Sequence, residues 1–104
     1  MSTMRNNVML IGYPSQPVMD SENKKATFKL TVKDDSKNGC QKVNVFDCAG
    51  YGNVAQRIVS QVNGSREIAI DGSLRNYDYQ DRMGDTHTHT EIVVNDLFII
   101  RKKD

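Results

Sequence analysis

The chain has no tryptophan, only two cysteines and two prolines, and no long apolar run; its 14 Lys+Arg nearly balance 13 Asp+Glu. Each scarcity excludes something. Near-neutral net charge excludes a chain that holds a polyanion by bulk attraction, so any such site must come from local charge arrangement. Cys40 and Cys48 fall in one expected strand, where eight residues separate them by roughly 26 Å, beyond disulfide reach. Reduced thiols and an intracellular setting are expected. The opening "MSTMRNNVMLIGYP" holds a four-residue apolar run, too short for a signal peptide, and nothing approaches a membrane span. Without tryptophan, tyrosine is the only useful intrinsic reporter.

At 104 residues the chain is read as one domain, 1–104, able to bury about two thirds of its unfolded surface without metal or disulfide. No linker, repeat or low-complexity tract interrupts it. Period-two alternation dominates. "NNVMLIGY" (6–13) is the first expected strand, broken by "PSQP". "ATFKLTVK" is the clearest, with Ala26, Phe28, Leu30 and Val32 inward and Thr27, Lys29, Thr31 and Lys33 outward. Residues 34–39 read as a loop. "QKVNVFDC" follows as a third strand with Val43 and Val45 expected inward. The one expected helix spans about 52–63, its stripe formed by Val54, Ile58, Val59 and Val62 and its end marked by Asn63-Gly64. "REIAIDGSLR" is the fourth strand, with Gly72 marking a bulge or bend. "DRMGD" turns the chain into the closing "THTHTEIVVNDLFII". This order predicts an all-β OB-fold, a five-stranded Greek-key barrel with one helix between its third and fourth strands.

Arg75, Tyr77 and Tyr79 in "LRNYDYQD" leave one side of their strand together, and Lys42, Asn44 and Phe46 share a side of the third. Rings beside cations suit single-stranded nucleic acid, whose unpaired bases stack on aromatics while phosphates meet Lys and Arg. Stacking tolerates any base, so weak sequence dependence is expected. Each ring alone could equally be a half-buried strand residue; three beside two cations are harder to dismiss. Other candidates carry less. His87 and His89 share a strand face but have no evident third ligand, so they are read as hairpin residues or phosphate contacts rather than a metal site. Cys48 lacks a His-Asp companion and reads as a small buried hydrophobe. "GYGNVA" matches neither phosphate-loop nor dinucleotide patterns. No catalytic constellation and no cofactor site is found.

With these residues in place, the chain resembles the bacterial single-stranded DNA-binding protein (SSB) family over nearly its whole length. "NNVMLIG" is similar to the family's Asn-x-Val-x-Leu-x-Gly strand. "NGSREIAIDGSLRNYDYQD" resembles its Gly-Ser to Leu-Arg segment ending in aromatic-x-Asp, and "THTEIVVNDLFII" its closing strand. The resemblance implies non-catalytic, largely sequence-independent binding of single-stranded DNA in replication, recombination or repair. Its implied contacts are Tyr79 as stacking aromatic, Arg75 on phosphate, Phe46 closing the third strand, Lys42 before it, and Arg5 at the N-terminus. Tyr77, Lys33 on the outward side of the second strand and Arg82 in the turn complete the expected DNA-binding set. It also implies a homo-oligomer, tetrameric or dimeric, in the cytoplasm and at the nucleoid.

Departures qualify the match. Cys40 or Gln41 stands where the family has tryptophan, Asp35 and Ser36 where it has an aromatic, and Tyr77 where a basic residue is usual. Two lost stacks at about 1–3 kcal/mol each imply weaker binding than in a typical member. Family members continue into an acidic-tipped tail; a chain ending at "IIRKKD" is expected not to recruit enzymes through one, as an accessory, mobile-element or truncated version would not. A primosome-type accessory protein acting through protein partners is the alternative. The missing aromatics favour it and the retained "GSLRNYDYQD" disfavours it.

Overall fold

A computed structural model describes residues 4–35, 41–64 and 66–102. Six strands and one helix follow in the order β1 (Val8–Pro14), β2 (Val18–Asp20), β3 (Lys25–Asp35), β4 (Gln41–Tyr51), α1 (Asn53–Gln61), β5 (Arg66–Gln80) and β6 (Thr86–Lys102). All strands join one sheet in the order β1-β5-β6-β4-β3-β2, and β1 also pairs with β3 to close a five-stranded ring. The short β2 was not expected. It pairs Val18 with Thr27 just beyond the pairing of Tyr13 with Thr31, so β1 and β2 are halves of one bent strand. The residues of "PSQP" make the bend; Pro17 has no amide hydrogen to offer the ladder. The architecture is the OB-fold the sequence predicts.

β3 obeys its alternation: Ala26, Phe28 and Leu30 are buried, and Lys29 and Lys33 are exposed. β4 does not follow the expected sides. Phe28 lies opposite Cys48 and Leu30 opposite Phe46, and cross-strand partners point to the same side. Phe46 therefore packs against the core, whereas Val43 and Val45 are exposed. The register along β3, whose buried residues are all even-numbered, decides the matter. The helix stripe holds at Val54, Ile58 and Val62, gains Ala55 and loses Val59. Ala55, Ile58 and Val62 are buried and Val59 is exposed; Gly50 carries no side chain where Ile58 and Val54 press on the strand. The helix ends on an extended Val62 rather than a left-handed glycine.

Gly72 behaves as expected. The register of β5 against β6 shifts between Asp71 and Gly72, and a Cβ at Gly72 would strike the Val93 carbonyl oxygen. The bulge lets β5 stop hugging the barrel and continue as one side of a projecting hairpin arm. Asn6 braces the departure point: its amide nitrogen donates to Leu74 O (2.6 Å) and its carbonyl accepts from Leu74 N (2.8 Å). Around the core, Leu30, Ile58, Ile68, Ile70 and Leu97 are fully buried, each contributing about 1.5–3 kcal/mol relative to exposure. Arg57 ties the helix to β6, donating to Asp96 Oδ1 (2.8 Å) and Leu97 O (2.9 Å), and it holds the Asp96 carboxyl below its ordinary range. Among the described residues no helix is long and apolar enough to cross a membrane.

Cys48 is buried, as expected of a small hydrophobe. Burial pushes its thiol up to about 12, so almost no thiolate exists at neutral pH. Iodoacetamide at pH 8 is expected to leave Cys48 unmodified in native protein and to label it fully in urea, read by peptide mass spectrometry. Labelling at equal rates in both states would contradict the packing. Cys40 lies outside the described residues.

Candidate nucleic-acid interface

The arm begins where β5 leaves the barrel. Arg75 faces Glu91, Tyr77 faces His89 and Tyr79 faces His87 across β5 and β6. Its two faces differ. Asn76, Asp78, Thr88 and Thr90 share one side, stitched by hydrogen bonds from Thr88 Oγ1 to Asp78 Oδ1 (2.8 Å) and from Thr90 Oγ1 to Asn76 Oδ1 (2.6 Å). The other side carries the rings, and Tyr77 and Tyr79 remain 39% and 49% exposed.

Each tyrosine is held by the histidine opposite. Tyr79 and His87 stack with centroids 5.4 Å apart at 27°, and Tyr77 meets His89 edge-on at 5.2 Å. Each histidine in turn meets an aspartate. His87 Nε2 donates to Asp81 Oδ2 (2.7 Å), within the turn, and His89 Nε2 lies 2.9 Å from Asp47 Oδ2 on β4. The second contact fastens the arm to the barrel. Asp81 also accepts from the backbone amides of Met83 and Asp85, and Gly84 supplies the turn's left-handed residue at φ 84°. The bond from His87 is the main cause of a lowered Asp81 carboxyl. What this carboxylate adds to stability is present above its unfolded value and is lost only as pH falls through the lower folded one.

The aromatic side of the arm continues onto the outer face of β3 and β4. Lys25, Lys29 and Lys33 recur every four residues along β3 and span about 26 Å, with Val43, Val45, Asp47 and Tyr51 opposite on β4. A cleft of about 870 Å³ lies on this side, lined by Ile11, Tyr13, Lys29, Thr31, Lys33 and Val45. Tyr51, overlooked in the sequence because "GYGN" reads as a loop, ends β4 between two cations. Lys25 Nζ is 5.7 Å and Arg75 Cζ 5.4 Å from its ring centroid. Arg75 Nη2 donates to Tyr51 Oη (2.7 Å) and to Glu91 Oε1 (2.8 Å), while Lys25 Nζ stands 3.8 Å from Glu91 Oε2. Glu91 is only 4% exposed.

The expected contact residues thus divide. Arg75, Tyr77, Tyr79 and Lys33 lie on one continuous surface. Arg82 is exposed at the arm's tip, and Arg5 is exposed beside the Asn6 brace. Lys42 is exposed but pairs with Asp34 in register, on the side of β4 away from Val43 and Val45. Phe46 leaves the set as a surface ring, because it faces the core. Ser36 and Cys40 fall outside the described residues. Neither histidine belongs to a group of three metal-ligating side chains among the described residues.

Solved structures share this architecture. One titled Plasmodium falciparum SSB complex with ssDNA superposes with a TM-score of 0.81 at 22% identity, covering 97% of this chain and 99% of that one. The small single-stranded DNA-binding protein from Streptomyces coelicolor does so at 0.70 with 14% identity, covering 93% and 96%. In sequence, the chain is 28% identical over 107 residues to Single-stranded DNA-binding protein 4 of Streptococcus agalactiae, spanning 97% of this chain and 78% of that protein. Identity to Single-stranded DNA-binding protein 1 of Streptococcus pyogenes is also 28%, spanning 97% and 82%. The Single-strand binding protein family matches residues 5–100, nearly the whole chain, and to that family the chain belongs.

Proposed function

We propose that this chain coats single-stranded DNA without catalysis, bases stacking on Tyr77 and Tyr79 while phosphates follow the lysine row of β3. The observation carrying this reading is the continuity of the aromatic side of the arm with Lys25, Lys29 and Lys33. Exposed rings on an otherwise polar hairpin gain nothing for the core, and they match the π-faces that only unpaired bases expose. Lys29, Lys33, Arg82 and Arg5 neutralise phosphates along or beside the path, whereas Lys25 and Arg75, at the arm's root, are matched by Glu91. Family membership supports the ligand.

The working unit is a homo-oligomer, a tetramer in our reading. Met9, Ile11 and Tyr13 on β1 and Phe98 and Ile100 on β6 are large apolar side chains left 43–69% exposed. Ile11, Ala69 and Phe98 stand in one cross-strand row. A flat apolar sheet face of this kind fits a second copy of the same chain. With that ligand, our reading puts the protein in the cytoplasm, at the nucleoid.

Fluorescence anisotropy with labelled oligothymidine and the matching duplex, over a salt series, tests the reading. Single strand is expected to bind at least tenfold more tightly than duplex. The slope of log K against log salt should be about −2 to −3, as for three or four neutralised phosphates on a single strand. Equal affinity for both forms, or indifference to salt, would refute it.

A further inference from the structure

We propose that the cleft beside Tyr77 reads the base stacked there, favouring guanine and disfavouring thymine at that one nucleotide; this rests on the single-strand reading above. The cleft, about 310 Å³, is bounded by Tyr77 and His89 of the arm, Lys29 and Asp47 of the barrel, and Glu91, near the small end of ligand sites. Besides fastening the arm through His89, a carboxylate on a surface meant for phosphates can address only the bases of a bound strand, since it repels the phosphates. Asp47 is positioned to do so. It lies on the outer side of β4 opposite Lys29, and its contact with His89 puts it next to the residue that edges the Tyr77 ring. A base lying on Tyr77 would turn its hydrogen-bonding edge toward that carboxylate.

Asp47 retains capacity to accept. Oδ2 meets His89 at 2.9 Å, but Oδ1 stands 3.8 Å from Lys29 Nζ, beyond hydrogen-bond length, and each carboxylate oxygen has two lone-pair directions. An ionised carboxylate only accepts. Guanine presents N1–H and N2–H side by side and matches it with two parallel bonds. Adenine and cytosine offer one amino group each. Thymine flanks its single N3–H with two carbonyl oxygens, which the carboxylate repels. Stacking by itself would not rank the bases in this order.

The test compares oligothymidine with strands of equal length carrying one central dG, dA or deoxyinosine, on wild type and Asp47→Asn, by competition anisotropy. A single dG avoids strand self-assembly. The dG strand is expected to bind about five- to tenfold more tightly than oligothymidine, within the range of one bidentate base contact, and more tightly than the dA strand. Inosine, which lacks the 2-amino group, should lose most of that gain without any change to the protein, and Asp47→Asn should erase it. Wild type binding dG and oligothymidine strands equally would overturn the inference while leaving single-strand binding intact. A dG preference that survives both inosine and Asp47→Asn would overturn it in favour of purine stacking. Failure to bind any strand would remove the underlying reading as well.

Discussion

Replacing Tyr77 and Tyr79 together by alanine is expected to weaken binding to oligothymidine about a hundredfold while leaving the melting temperature nearly unchanged. The two effects separate because of where the rings stand. Both lie on the arm, outside the buried cluster, and remain 39% and 49% exposed, so truncation leaves no cavity in the core. Bound bases, however, lose the surfaces on which they stack, at about 1–3 kcal/mol per base, or roughly tenfold for each ring at the low-to-middle part of that range. Double replacement by phenylalanine should recover most of the affinity, since stacking uses a π-face and not a hydroxyl. Phe46→Ala is the opposite control. It removes a partly buried ring packed against the core and should cost about 3 kcal/mol of stability in urea unfolding, the low end for a phenylalanine, with little change in the affinity of the protein that remains folded. If the double alanine variant binds within threefold of wild type, the arm is not the stacking platform.

The barrel was legible because its strongest signals are local. β3 alternates without a fault, Gly72 sits where a bulge is required, and "DRMGD" contains both the aspartate and the glycine its turn uses. β4 was misread because it carries apolar residues of both parities: Val43 and Val45 on one side, Phe46 and Cys48 on the other. Reading Cys48 as buried already implied that Phe46 faces the core with it, since residues two apart share a side. Only the register against Leu30 turns that inference into a placement. The tyrosine–histidine pairs were equally within reach. Tyr79 and His87 are equidistant from Met83 at the centre of the turn, as are Tyr77 and His89, so a symmetric hairpin must set them opposite each other. The contact of His89 with Asp47 and the burial of Glu91 were not legible, for they depend on how the arm leans against a strand some forty residues away.

Glu91 carries the second large effect: Glu91→Gln is expected to tighten single-strand binding and steepen its salt dependence. This carboxylate sits 2.8 Å from Arg75 and 3.8 Å from Lys25, so two cations at the root of the arm are already matched with an internal anion. A phosphate approaching either one competes with Glu91 and is repelled by it. Glutamine keeps the shape and an acceptor for Tyr51 and Arg75 but removes the charge, leaving both cations to neutralise phosphate instead. Two further phosphates at about 0.7 each on a single strand make the slope of log K against log salt more negative by about 1.4. Between 1 M and 0.1 M salt that amounts to about a 25-fold greater gain in affinity than wild type shows. Stability should fall by about 1–2 kcal/mol, the difference between charged and neutral hydrogen bonds, which urea unfolding will register separately. Were Glu91 instead needed to hold Arg75 in its binding pose, the variant would bind more weakly with an unchanged slope. The direction of the salt response therefore decides between a carboxylate that competes with the DNA and one that prepares the surface for it.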